Sequence, residues 1–307
     1  MKLLVSIVLS CWAVAASASD VVLGSLATLT WTGTGTTKIA VWSSPFSWTA
    51  TGSYYSTNYT EGGTNFSEVV WTNGAGSFSP SSSKAAELFV VAGGGGAGGM
   101  TPDAYCSGGG GAGGCLYFGT NLNAQTYTVT VGLGGAGGAL GLYDGNNGSN
   151  STFGSLTATG GGGGGGGNGG TGNAGHNGGS GGGASLDKTP GTGISGQGFA
   201  GGTGLASGMY QGGGGGGAMG VGSNAVSNVN GGRGHPYPGG IGRSFGGKTY
   251  ATGGWGAWFE NDGIYWNGTN AAPNTGDGGN GGKITSSVGA TGGDGGSGIV
   301  IIRWASP

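Results

Sequence analysis

Charge is nearly absent from this chain of 307 residues: nine basic and eleven acidic side chains make up 7% of it, for a net charge of −2. No basic patch exists to neutralise phosphates, which excludes nucleic acid as a partner. Histidine is limited to His176 and His235 and cysteine to Cys11, Cys106 and Cys115, so no zinc-type ligand cluster is present. Proline occurs eight times and without the three-residue period of collagen. Beyond the N-terminus no apolar run approaches the roughly 20 residues of a membrane-spanning helix. The aliphatic stretch at 299–302 has four. No stripe of helical period appears either, which points to an all-β or irregular chain.

The N-terminus reads as an export signal. Met1 and Lys2 precede an apolar run at 3–16, and Ala16, Ser17 and Ala18 form a small-residue cleavage site. Cleavage after Ala18 is expected, giving a secreted protein without membrane insertion. Residues 19–91 alternate Thr28, Thr30 and Thr32 with Leu29 and Trp31 and carry short β-branched and aromatic runs, the pattern of a β-rich segment.

Glycine is what the chain has in place of charge. It contributes 87 residues, of which 79 lie beyond Ala92 because eight precede it. The longest blocks are 93–96, 108–111, 160–167 and 212–217. Glycine buries no side chain and loses the most conformational freedom on ordering, so such a region either stays disordered or folds without a side-chain core. Three apolar strands, at 87–92, 125–131 and 299–304, abut glycine blocks. That arrangement favours order: a small sheet as base, with residues 92–307 packed above it as a bundle of polyglycine-II helices bonded through their backbones. Inserts at 144–155, 185–192, 218–230, 235–250 and 255–273 then become loops, where recognition usually sits.

The segments VVAGGGGAGG at 90–99, YTVTVGLGGAGG at 127–138 and GGSGIVIIRW at 295–304 resemble the glycine-rich domain of phage tail-fibre adhesins. The resemblance spans about 85–305 and implies a polyglycine-II sandwich whose distal loops bind surface receptors. The export signal departs from the phage pattern.

Several motifs tempt. Residues 242–249, GRSFGGKT, match a phosphate loop, but no strand-to-helix context surrounds them. Residues 178–182, GGSGG, match a nucleophile elbow and equally lack its strand and helix. Residues 144–150, DGNNGSN, carry oxygen ligands in a turn without the terminal bidentate glutamate of a calcium loop. No enzyme, cofactor or metal is expected.

Recognition is assigned instead to residues 255–266, with Trp255, Trp258, Phe259, Tyr265 and Trp266 around Glu260, Asn261 and Asp262. Flat rings beside short polar groups suit a sugar, or they seal one end of the bundle. Tyr237 and Tyr210 are expected on the same rim. Sequons stand at Asn58, Asn65, Asn147, Asn150 and Asn267, available for glycosylation. Cys106 and Cys115 are expected to be unpaired, because an extended glycine run between them at ~3.1 Å per residue separates them beyond disulfide reach. The functional expectation is an adhesin for a surface glycan or protein. The alternatives are a self-associating matrix or wall component and an ice-binding protein.

Overall fold

The computed structural model describes residues 28–32, 39–43, 46–102, 106–141, 143–168, 171–206, 211–226, 237–259, 264–284 and 288–306, the first two stretches by backbone alone. The expected export signal lies outside them. Two compact units divide the chain, Met1–Ser47 and Trp48–Pro307. In the first, β1 (Thr28–Thr32) pairs antiparallel with β2 (Ile39–Ser43).

The second unit is built on an eight-stranded sheet. Its members are β3 (Trp48–Glu61), β4 (Thr64–Pro80), β5 (Lys84–Val91), β6 (Cys115–Leu122), β7 (Tyr127–Val131), β8 (Ser151–Phe153), β9 (Leu156–Ala158) and β16 (Ile299–Ala305). The spatial order is β6-β5-β16-β4-β7-β8-β9, with β3 also on β4. Strands from both sides of residue 92 therefore pair in one sheet. β4 is long enough to border β16 from Phe66 to Trp71 and then β7 from Gly74 to Phe78. Gly62 and Gly63, at φ +57° and +81°, make the two-residue turn from β3 to β4. Both positions require the left-handed backbone that only glycine enters freely.

Alternation along the strands creates two apolar faces. One carries Val70, Ile301 and Phe89, which are register partners across three strands. It is covered by a hairpin of β12 (Arg243–Phe245) and β13 (Lys248–Tyr250), whose Phe245 ring stacks on Phe89 at 4.5 Å. The other face gathers Trp48, Trp71, Phe78 and Trp304 with centroids about 6 Å apart. Each such buried ring or aliphatic side chain contributes roughly 1.5–3 kcal/mol.

The remaining strands are short: β10 (Gly167–Asn168) with β11 (Thr171–Gly172), and β14 (Trp258–Phe259) parallel to β15 (Lys283–Ile284). The glycine blocks between are extended and buried. Successive N–H groups of residues 160–167 turn to three neighbours in rotation. Gly161, Gly164 and Gly167 donate to the carbonyls of Gly93, Gly96 and Gly99 at 2.9–3.0 Å. Gly162 and Gly165 donate to Ser180 and Gly183 at 2.9 and 3.0 Å. Gly160, Gly163 and Gly166 donate to side-chain oxygens of Asn150, Asn147 and Asp144 at 2.7–2.9 Å.

The expected bundle of polyglycine-II helices on a small sheet base is corrected by this structure. No residue described is helical, and among the described residues no helix is long and apolar enough to cross a membrane. Strands carry the architecture, and the base is a sheet of eight strands rather than three. Three strands alone would leave long unpaired edges and bare apolar faces, and β3, β4, β6, β8 and β9 supply the missing pairing.

The close approach of the runs makes a direct prediction. A Cβ on Gly164 would lie 2.1 Å from the Gly108 carbonyl oxygen, whereas one on Gly119 in β6 meets nothing within 4 Å. Gly164→Ala is expected to destabilise by about 3 kcal/mol or more, by overpacking and lost hydrogen bonds. Gly119→Ala is expected to be neutral or to stabilise by up to about 1 kcal/mol. Urea midpoints of the two variants measure the difference.

Candidate functional site

Trp255, Trp258 and Trp266 line one pocket of about 340 Å³, together with Asn267, Thr269, Asn280 and Lys283. Two backbone pairings and one side-chain clamp bring them together. Trp258 in β14 is the register partner of Lys283 in β15. Trp266 and Lys283 exchange both backbone hydrogen bonds at 2.9 Å. Asn280 Oδ1 accepts the Trp255 N–H at 2.9 Å, and its Nδ2 donates to Thr269 Oγ1 at 2.8 Å. The pocket is predominantly apolar, with Trp255 and Trp266 about half exposed. Lys283, 3% exposed, sets its Nζ 4.9 Å over the Trp266 ring. That cation–π contact fixes the tilt of the indole.

The other expected recognition residues lie apart. Phe259 packs against the buried cluster of Met100, Ala257 and Ala290, so its ring is a structural cap. Tyr265 is exposed but does not line the pocket. Tyr237 donates its hydroxyl to the Val226 carbonyl at 2.9 Å, which pins a loop. Tyr210, Glu260, Asn261 and Asp262 lie outside the described residues. Thr269 lies in the 255–273 insert without being singled out by its sequence, and Asn280 and Lys283 lie outside it. These last two stand 25 or more residues from Trp255, and no local motif connects them to it.

The tempting motifs resolve into structure. Residues 242–249 form the β12–β13 hairpin, with Gly246 and Gly247 as its turn. Residues 178–182 fold back through a bend at 178–180: Gly182 donates to His176 and Gly181 to Phe199, both at 2.9 Å. Among the described residues no group of three or more His, Cys, Asp or Glu is placed to hold a metal ion. Cys106 and Cys115 are free and buried, and burial pushes their thiols up to about 11 and about 12 respectively. Thiols held protonated in this way are inert at neutral pH.

The sequons divide into two kinds. Asn58 and Asn65 are exposed on β3 and β4, with Asn65 Oδ1 accepting from Thr60 at 2.8 Å. Asn147, Asn150 and Asn267 instead spend Oδ1 on backbone N–H groups of Gly163, Gly160 and Thr291.

Residues 144–150, read as a turn with oxygen ligands, prove to be a row of backbone caps. Asp144, Asn147 and Asn150, three residues apart, cap Gly166, Gly163 and Gly160, also three apart. His176 joins this row. Its Nε2 lies 3.0 Å from Asp144 Oδ2 and its Nδ1 3.3 Å from Asn147 Oδ1. Asn147 Oδ1 also accepts the Gly163 N–H, which sets the amide orientation. Protons on both ring nitrogens satisfy both contacts, so the row favours the imidazolium form. The hydrogen bond to Asp144 raises the His176 pKa against the lowering effect of partial burial. Burial works to raise Asp144, but the hydrogen bonds from His176, the Gly166 N–H and Asn173 outweigh it and hold the carboxyl low.

A family model described as a glycine-rich domain matches residues 71–305. No curated protein matches the chain.

The sign of the pH dependence follows from the two shifts. A raised histidine stabilises fully below its unfolded value near 6.5, and that contribution is lost as pH rises through the folded value. A lowered aspartate stabilises above its unfolded value near 3.9, and that contribution is lost as pH falls through the folded value. The pair therefore contributes most between about pH 4 and 6.5. In Asp144→Asn the cap on Gly166 survives while the charge is removed. The His176 imidazole is expected to titrate above 6.5 in the parent and lower in that variant, as read by proton NMR. Coincident titrations would refute the pairing.

Proposed function

Since this chain belongs to the glycine-rich domain family, we propose that it is an exported recognition protein whose tryptophan pocket binds a surface glycan. The observation that carries the reading is the convergence of Trp255, Trp258 and Trp266 on one pocket beside Asn267, Thr269 and Asn280. Indole faces pack on the apolar faces of sugar rings, and short amide and hydroxyl groups meet ring hydroxyls. A volume of about 340 Å³ lies at the small end of the range for ligand sites. The pocket is therefore suited to a terminal sugar rather than a long chain.

Two features of the sequence support the setting. The apolar run at 3–16 followed by Ala16, Ser17 and Ala18 supports export. The junctions between strands and glycine blocks resemble those of phage tail-fibre adhesins, which present binding loops on a glycine scaffold. Attachment to a surface is the activity this reading assigns. It needs no covalent chemistry.

A printed panel of glycans, probed with the secreted protein, tests the proposal. Binding to at least one glycan is expected, and Trp258→Ala or Trp266→Ala should weaken it tenfold or more, the effect of removing a central aromatic anchor. Tyr265→Ala should leave it unchanged. Retention of full affinity by both tryptophan variants would sink the pocket, and failure to bind any glycan or cell surface would sink the adhesin reading itself.

A further inference from the structure

A larger cavity lies elsewhere in the same unit, on the sheet face covered by the β12–β13 hairpin. It measures about 420 Å³. Strand alternation places Tyr55, Thr57 and Tyr59 of β3 along one wall, with Glu68 of β4 beside Thr57 as its register partner. The hairpin supplies Lys248 and Tyr250 opposite, and Ile301 of β16 contributes an apolar floor. The wall is held rigid. Arg303 is only 9% exposed, and its Nη1 binds the Tyr59 hydroxyl at 3.1 Å and Glu61 at 2.8 Å. Its guanidinium also lies 4.9 and 4.4 Å from the Phe66 and Phe245 ring centres.

The chemistry of the lining selects a class of ligand. Arg303 shares its single charge between Glu61 and Glu87, so Glu61 is only partly compensated, and the cavity is faced by the carboxylates of Glu61 and Glu68 and by one ammonium, Lys248. The two carboxylates disfavour an anion, and Lys248 among them disfavours a cation, so an uncharged ligand meets the least opposing field. Three phenols, two threonine hydroxyls, two carboxylates and an ammonium together offer donors and acceptors in several directions around flat rings. The Tyr59 hydroxyl donates to Glu68 at 3.2 Å, which uses one of about four acceptor sites on the carboxylate. Burial outweighs the lowering effects of Tyr59, Arg303 and Lys248 and raises the Glu68 pKa, as expected for a carboxyl drawn partly out of water. A neutral ring bearing many hydroxyls fits such a lining. We propose that this tyrosine-lined cleft is a second saccharide site, specific for an uncharged sugar ring and independent of the tryptophan pocket.

The test is a titration of the full chain by saturation-transfer NMR and calorimetry. The probes are maltohexaose, cellohexaose and chitohexaose as neutral chains, with polygalacturonate as the acidic comparator. Tyr55 is half exposed, so Tyr55→Ala removes one ring with little effect on the fold. Glu68→Gln keeps the shape and removes the charge. At least one neutral chain is expected to bind the parent and the Trp258→Ala variant alike. Tyr55→Ala and Glu68→Gln should each weaken that binding about tenfold or more. Binding that disappears with Trp258→Ala and survives Tyr55→Ala would overturn the cleft while leaving the tryptophan pocket intact. Absence of binding by all three neutral chains, or a preference for polygalacturonate, would overturn the assignment of a neutral sugar.

Discussion

The hydrogen bond between an N–H of one glycine run and a carbonyl of the next is the interaction on which this structure depends. From the N–H groups of residues 160–167 to the carbonyls of neighbouring runs these bonds measure 2.9–3.0 Å. Backbones meet this closely only when no Cβ stands between them. At Gly95, Gly110 and Gly163 alike, an added methyl would fall within about 2 Å of a neighbouring carbonyl oxygen. The region therefore gains stability from satisfied peptide groups, where an ordinary domain relies on buried side chains. The entropy lost on ordering glycine is high, so nearly every peptide in a run must find a partner.

Two kinds of side chain complete what glycine cannot. The eight-stranded sheet supplies apolar burial, with its aromatic cluster on one face and Phe89, Phe245 and Tyr250 on the other. At the margins of the glycine region, where no further run exists, Asn and Asp oxygens take the place of carbonyls. Asp144, Asn147 and Asn150 form one such row, and Asp277 and Asn280 cap Thr252 and Trp255 in another. The tryptophan pocket is a product of this arrangement. Its rings come from one insert, but Asn280 and the Trp266–Lys283 bridge bring them to a common wall.

Much of this was legible along the chain. Alternation marked β1 and β7, the apolar runs at 87–92 and 299–304 marked β5 and β16, and the aromatic insert at 255–266 stood out from glycine on composition alone. The roles of individual rings were not legible. Trp258 and Phe259 are adjacent in one short strand, yet the first lines the pocket and the second packs on Met100. Alternate residues of a strand face opposite ways, and only the surroundings decide which way is outward. The capping role of the row from 144 to 150 was illegible for the opposite reason. Its oxygens point to a turn, because the N–H groups they serve lie 10 to 22 residues away in the chain.

Composition and order of residues thus determined that backbone bonding must dominate, that strands would carry the side-chain core, and that aromatic inserts would interrupt the glycine. These are local facts, set by the absence of a Cβ, by two-residue alternation and by ring content. Tertiary structure decided the number of strands in the sheet, the extended rather than helical assignment of the glycine runs, and which side chains share a cavity. Tyr55, Glu68, Lys248 and Ile301 meet in one cleft from positions spread across some 250 residues. Such meetings depend on register and on which run lies beside which. Because glycine looks the same at every position of a run, no side chain in the sequence encodes that choice.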